Sequence, residues 1–344
     1  MLYTYALCLI ATATLTGLWR QYAITSNVLD VPNSRSSHVL PTPRGGGVAI
    51  VISFVSAVIL TTIFHLLPST LETWTILGGC TLVATIGFID DHRPISARWR
   101  LLGHFIAATI ILIGLGGLPL PLALGDSTFL LDVTGWIVGL LFCVWMLNLY
   151  NFMDGIDGLA SLEAIFVTAA GASLYFIVGS EQNMALPLIL AFCVAGFLIW
   201  NFPPAKIFMG DAGSGFLGIL LASLALQAGW VSKNLLWAWI ILLGVFIVDA
   251  SWTLLRRLLR GEKIYEAHRM HAYQNASRRY QSHKIVTLAI LGLNLIWLFP
   301  CAYLVATNNL NWLTGIIVAY TPLLGLAIYF NAGKPEITHS ETNS

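Results

Sequence analysis

The chain has 344 residues, 57% of them hydrophobic and only 10% charged, with a mean hydropathy of +0.80. Soluble domains carry about 25% charged residues, so this composition excludes a soluble globular protein and marks an integral membrane one. Seventeen Lys and Arg against sixteen Asp and Glu give a formal net charge of +1, and no basic excess points to nucleic acid as a partner.

Apolar stretches close to the ~20 residues that cross a bilayer fall at 2–19, 46–66, 71–89, 101–118, 134–150, 159–178, 184–200, 212–230, 235–255, 285–306 and 311–330. The expected fold is all-α: a polytopic membrane bundle of about eleven helices, forming one domain over 1–330 with a cytoplasmic tail over 331–344. No Lys or Arg precedes the first stretch and Arg20 follows it, so it reads as a retained span with the N-terminus outside. An odd number of spans then places the C-terminus in the cytoplasm. In that topology sixteen of the seventeen Lys and Arg lie on the inner side and only Lys233 outside. All five cysteines fall within apolar stretches without metal-type spacing, and read as packing residues.

The inner segments carry the polar clusters. In the first, Gly45, Gly46 and Gly47 open a helix where backbone N–H groups could approach an anion, with Arg35, His38 and Arg44 adding charge; a flexible basic loop explains the same residues. The second holds Asp90 and Asp91 at the end of an apolar run, where adjacent carboxylates are costly unless paired or bound to a cation. Their hard oxygens suit Mg²⁺, and Arg93 or Arg98 offers the alternative pairing. In the third, Asn148, Asn151, Asp154 and Asp157 recur every third residue, while Gly155 and Gly158 predict that one helix ends near Asp154 and another begins. Capping could account for Asp157 but not for all four.

The fourth segment holds Asn201, Lys206 and Asp211, with Gly213 and Gly215 permitting close approach by phosphates. Asp211 reads either as an N-cap or as a metal ligand at a helix start, and Lys206 as a point charge or an interfacial anchor. In the fifth, His268 and His271 share a face if the segment is helical, but HxxH without a third ligand is a weak zinc signal and phosphate contact is the better reading. Asp249 lies inside the ninth apolar stretch, where an acid is either functional or paired within the bundle.

Taken in order, the segments GFIDD, NLYNFMDGIDGLA, NFPPAKIFMGDAGS and HRMHAYQ resemble the polyprenyl-phosphate N-acetylhexosamine-1-phosphate transferases (glycosyltransferase family 4), the family that includes the phospho-MurNAc-pentapeptide translocase. The likeness spans roughly residues 30 to 284. It implies a bacterial inner-membrane enzyme, active at the cytoplasmic face, that moves an N-acetylhexosamine 1-phosphate from a UDP-sugar to undecaprenyl phosphate, releasing UMP. It further implies Mg²⁺, with Mn²⁺ as the alternative, and leaves a homodimer open.

Carried over by residue, the resemblance makes Asp211 the chief metal ligand with Asn151 beside it, Asp90 the acid nearest the lipid phosphate, and Asp91, Asp154 and Asp157 its neighbours in one cleft. Asn201, Arg98, Lys206, Arg35 and Arg44 would contact substrate, and His268 and His271 would line the sugar-phosphate end. Arg98 stands where the family usually has Lys, which keeps the charge and changes the geometry. The Asn33–His38 loop and the Glu266–Gln274 loop resemble most the group that initiates O-antigen synthesis, including enzymes described for N-acetylfucosamine. The competing reading is a transporter or flippase for an anionic lipid or solute.

Overall fold

The computed structural model describes residues 1–32, 40–118, 128–262 and 268–335. Arg35, His38 and Glu266 lie outside the described residues.

Each of the eleven apolar stretches is helical. In chain order the helices are α1 (Leu2–Thr25), α2 (Gly47–Ile63), α3 (Leu71–His92), α4 (Ala97–Leu115), α5 (Thr128–Met153), α6 (Leu159–Ile177), α7 (Ala185–Asn201) and α8 (Asp211–Val231). They continue with α9 (Lys233–Leu242), α10 (Gly244–Leu259), α11 (Ala272–Tyr280), α12 (His283–Leu293), α13 (Phe299–Ala306) and α14 (Trp312–Tyr329). A π-helical turn, Asn294–Leu298, joins α12 to α13 as one span. Among the described residues nine spans are long and apolar enough to cross a bilayer, α9 with α10 makes a tenth, and α2 is shorter at 17 residues, about 25 Å of rise. The protein is a polytopic all-α membrane protein.

The expected straight span at 235–255 is instead broken, with α9 and α10 bent by 68°. Leu243 leaves the helical conformation, and the carbonyl of Ile240 accepts a hydrogen bond from the Tyr320 hydroxyl of α14 at 2.7 Å. A break at membrane depth is tolerated because a buried partner satisfies the backbone. Hydropathy averaged over the stretch carries no sign of it.

Helix α8 is the centre of the bundle: 83% of its span is buried, against 17% for α1. It packs on α3, α5, α9 and α2, which surround it. The close contacts are at its start. A Cβ on Gly47 would lie 2.4 Å from the Gly213 Cα, so α2 and α8 meet backbone to backbone. All five cysteines are buried and free.

The five inner segments meet at one end of the bundle. A two-residue ladder, β1 (Leu29–Asp30) with β2 (Thr42–Pro43), closes the first loop, and Phe208 N donates to the Pro43 carbonyl at 2.8 Å. Residues 331–335 of the expected tail pack against the bundle. Ala332 is fully buried, its carbonyl accepts from Arg256 Nη1 at 3.0 Å, and Gly333 N donates to the Met270 carbonyl at 2.7 Å.

Candidate active site

The acids of three segments converge where α3, α5 and α8 meet. Helix α8 has Gly210 as its own N-cap, which offers no side chain. Asp91, at the end of α3, caps it instead: the N–H groups of Asp211 and Ala212 donate to Asp91 Oδ1 and Oδ2 at 3.1 and 3.3 Å. A carboxylate at a helix N-terminus is favoured by the helix dipole and the open amides. Asp211 is therefore the first residue of α8 and not its cap, which leaves its carboxylate for other work.

Two arginines enter the cluster. Arg44 Nη2 donates to Asp91 Oδ1 at 2.5 Å and stands 3.7 Å from Asp211. Arg100 pairs with Asp90 and also stands 3.7 Å from Asp211. Asp90 accepts a further bond from Ile95 N at 2.6 Å. Asn151 Nδ2 donates to Asp211 Oδ1 at 3.1 Å and to Ser214 Oγ at 2.9 Å, leaving its Oδ1 as an acceptor. Asp154 lies in the break between α5 and α6, and its carboxylate accepts no hydrogen bond from a described residue. Burial, then the Asp211 and Asp91 charges, push it well above the usual carboxylate range. A cavity of about 160 Å³ opens here, walled by Asp90, Arg100, Asn148, Asn151, Phe152 and Asp211.

With all four carboxylates (Asp90, Asp91, Asp154, Asp211) ionised, the two guanidiniums (Arg44, Arg100) leave a formal charge of −2; a divalent cation would cancel it and offset the burial and repulsion that hold Asp154 toward its neutral form. Among the described residues no three His, Cys, Asp or Glu side chains form a ready-made metal cage. Mg²⁺ does not require one, since it keeps several waters and is held through one or two carboxylates plus substrate phosphates. Asp211, Asp154 and the Asn151 Oδ1 fit that mode.

The structure separates the remaining expected residues. Arg98 is exposed with no ion pair among the described residues, and Arg100 is the one that reaches the acids. Asn201 is buried and engaged within the fold: its Oδ1 accepts from Gly158 N at 3.1 Å and Ser161 Oγ at 3.0 Å, and its Nδ2 donates to the Ile207 carbonyl. Lys206 is exposed, its ammonium 5.7 Å from the Trp200 ring. The Gly46 and Gly47 amides donate to the Phe208 and Met209 carbonyls and are not open to an anion. Gly213, expected to admit phosphates, serves the contact with Gly47.

Asp157 does not cap α6, whose N-cap is Gly158. Its Oδ1 lies 3.1 Å from His283 Nδ1 and its Oδ2 accepts from Ala205 N at 3.0 Å. It borders a second, polar cavity of about 450 Å³ together with Arg269, Arg278, His283 and Lys284. His268 and His271 precede α11 and are not helical, yet their rings stack with centroids 4.8 Å apart. Phe152, a wall of the acid cavity, lies 6.2 Å from His268 and 6.4 Å from His271 by ring centroids. Burial, then His271 and Arg257, push His268 down to about 3, so its ring is neutral.

The sequence reading overlooked Arg100, Ser214 and His283. The first predicts a test. Arg100→Gln is expected to lower turnover about 10²-fold, as when one charge-stabilising donor is removed, and Arg98→Gln to change it by no more than about twofold. Equal effects of the two variants on initial rate would reverse the assignment.

A model for glycosyl transferase family 4 matches residues 73–229, which hold Asp90, Asp91, Asn151, Asp154 and Asp211. The chain is 29% identical over 321 residues to a probable undecaprenyl-phosphate N-acetylglucosaminyl 1-phosphate transferase of Bacillus subtilis, covering 91% of this chain and 87% of that one. It is 32% identical over 306 residues to a decaprenyl-phosphate N-acetylglucosaminephosphotransferase of Mycolicibacterium smegmatis, covering 80% and 75%. A phospho-N-acetylmuramoyl-pentapeptide-transferase of Kocuria rhizophila is 30% identical over 284 residues, covering 65% and 72%. With the acid cluster inside the matched segment and likeness extending over most of its length, the chain belongs to glycosyl transferase family 4.

Proposed function

We propose that the protein transfers an N-acetylhexosamine 1-phosphate, such as that of GlcNAc or FucNAc, from a UDP-sugar to undecaprenyl phosphate, releasing UMP. The observation that carries this reading is the cluster of four acids braced by Arg44 and Arg100 at one end of a membrane bundle. A lipid-borne phosphate cannot leave the bilayer, so it must meet a soluble donor at such an end. The excess of Lys and Arg in the segments at that end supports a cytoplasmic face in a bacterial plasma membrane.

Phosphoryl transfer asks for charge neutralisation and in-line positioning more than for covalent chemistry. Asp211, Asp154 and Asn151 would hold Mg²⁺ or Mn²⁺, which when bound neutralises the donor diphosphate. Arg44 and Arg100 remain beside Asp211 to meet the remaining phosphate charge. The acceptor, a phosphate monoester with a second pKa of about 6, is largely dianionic at neutral pH and attacks without a base. Asp90, both of whose oxygens are engaged, serves to hold Arg100 and not to take a proton. The Arg269, Arg278 and Lys284 cavity beside Asp157 suits the rest of an anionic donor. The likeness of the two loops to O-antigen-initiating enzymes supports a product at the start of an envelope polysaccharide.

Purified protein with undecaprenyl phosphate is expected to release UMP from one or more of a panel of UDP-N-acetylhexosamines. Chelation should abolish the release and added Mg²⁺ restore it. Release that persists after chelation would remove the metal from the reading, and no release with any donor would favour the transport alternative.

A further inference from the structure

Asp249 lies in α10, just beyond the 68° bend, buried at 5% exposure and far in sequence from every acid of the cluster. Its carboxylate is saturated by one short loop. Ala272 N donates to Oδ1 at 2.8 Å, Tyr273 N to Oδ2 at 3.0 Å, and His271 Nδ1 lies 3.3 Å from Oδ1. Thr253, one turn along α10, adds its hydroxyl at 3.2 Å. Helix α11 therefore begins on a carboxylate supplied by α10, as α8 begins on Asp91.

The consequences run through two imidazoles. The contact of its Nδ1 with the Asp249 carboxylate holds the ring plane of His271. His268 stacks on that plane, and its Nδ1 faces the Met270 N–H at 3.4 Å. A neutral His268 then carries its proton on Nε2, a buried atom with no hydrogen-bond partner among the described residues. A buried donor without an acceptor costs about 1–3 kcal/mol unless something binds it. Tyr273, the residue whose amide Asp249 holds, donates its hydroxyl to the Phe152 carbonyl at 2.9 Å, tying the same loop to the wall of the acid cavity.

We propose that Asp249 is a positioning residue for the donor substrate: it anchors the loop 268–273 so that His268 Nε2–H is presented, beside Phe152, to an oxygen of the sugar-phosphate donor. This rests on the transferase reading above. Asp249 touches no reacting atom and acts through His271 and His268.

The test is steady-state kinetics of Asp249→Asn, His271→Asn, His268→Ala and the Asp249→Asn/His268→Ala double variant in the full-length protein. Loss of an orienting partner costs about 10–100-fold, so Asp249→Asn should raise the KM for the UDP-sugar by about tenfold or more. kcat and the KM for the lipid should move less than about threefold in the same variant. His271→Asn leaves the two amide bonds to Asp249 in place, and should share the donor effect even if Asp249→Asn fails to fold. The double variant should be no worse than His268→Ala alone, because the two act as a unit. A wild-type donor KM in the variants, equal losses toward both substrates, or independent multiplication in the double variant would overturn the proposal. Absence of turnover by the wild type with every donor would instead overturn the transferase reading on which it stands.

Discussion

Asp211→Asn is expected to slow UMP release about 10³-fold, the several kcal/mol that a bound cation contributes to a phosphoryl-transfer transition state, while leaving the fold intact. The Asn oxygen keeps the shape and can still accept the 3.1 Å bond from Asn151, so the local packing is undisturbed. What changes is charge. The cluster falls from −2 to −1, and the carboxylate that faces both arginines at 3.7 Å is gone. The same change relieves repulsion with Asp154 and Asp91 when no cation is present. Thermal unfolding separates the two consequences. Mg²⁺ should raise the midpoint of the wild type, because a ligand that binds only the folded state adds stability with its concentration. It should not raise that of the variant, whose midpoint without metal should equal or exceed the wild type's. Equal stabilisation of both proteins by Mg²⁺, or a variant with near-normal rate, would sink the assignment of Asp211 to the metal.

How much of this was legible in the sequence depends on range. Hydropathy placed the eleven helical stretches, and Gly155 with Gly158 located the break at Asp154. Polar segments alternating with apolar ones told that Asp90, Asn151 and Asp211 share one end of the bundle. Pairings did not follow, because each joins distant segments. Arg44 meets Asp91 across 47 residues, and Asp91 meets the α8 amides across 120. Arg98 and Arg100 differ by about 200° around α4, so only one can face Asp90, and nothing local says which. The role of the glycines stayed open for a related reason. A run such as Gly45–Gly47 permits either an anion near the backbone or another helix near it, and the partner decides. The kink at Leu243 was hidden because apolar residues run across it on both sides; the Tyr320 hydroxyl that stabilises it comes from the last helix.

Gly87→Ala is expected to cost as much function as a site substitution, though it removes no reactive group. Gly87 lies one turn before Asp91 on the same face of α3. A Cβ there would stand 2.5 Å from the Asp211 carbonyl oxygen and 2.6 Å from Ala212 N, backbone atoms at a helix start that cannot swing aside. Either α3 or α8 must retreat. Overpacking of this kind costs roughly 1–3 kcal/mol, and here it also pulls Asp91 from the amides it caps. A misplacement of about 1 Å in a catalytic array can cost about 10²-fold in rate. Gly78→Ala is the internal control, since it lies on the same helix with nothing within 4 Å of the added methyl. Alanine favours a helix over glycine by up to about 1 kcal/mol, so Gly78→Ala should be neutral or stabilising, with normal UMP release. Gly87→Ala should unfold at lower temperature and transfer about 10²-fold more slowly at saturating Mg²⁺. Near-normal rates for both variants would mean that the close approach of α3 to α8 is not what sets Asp90 and Asp91 against Asp211.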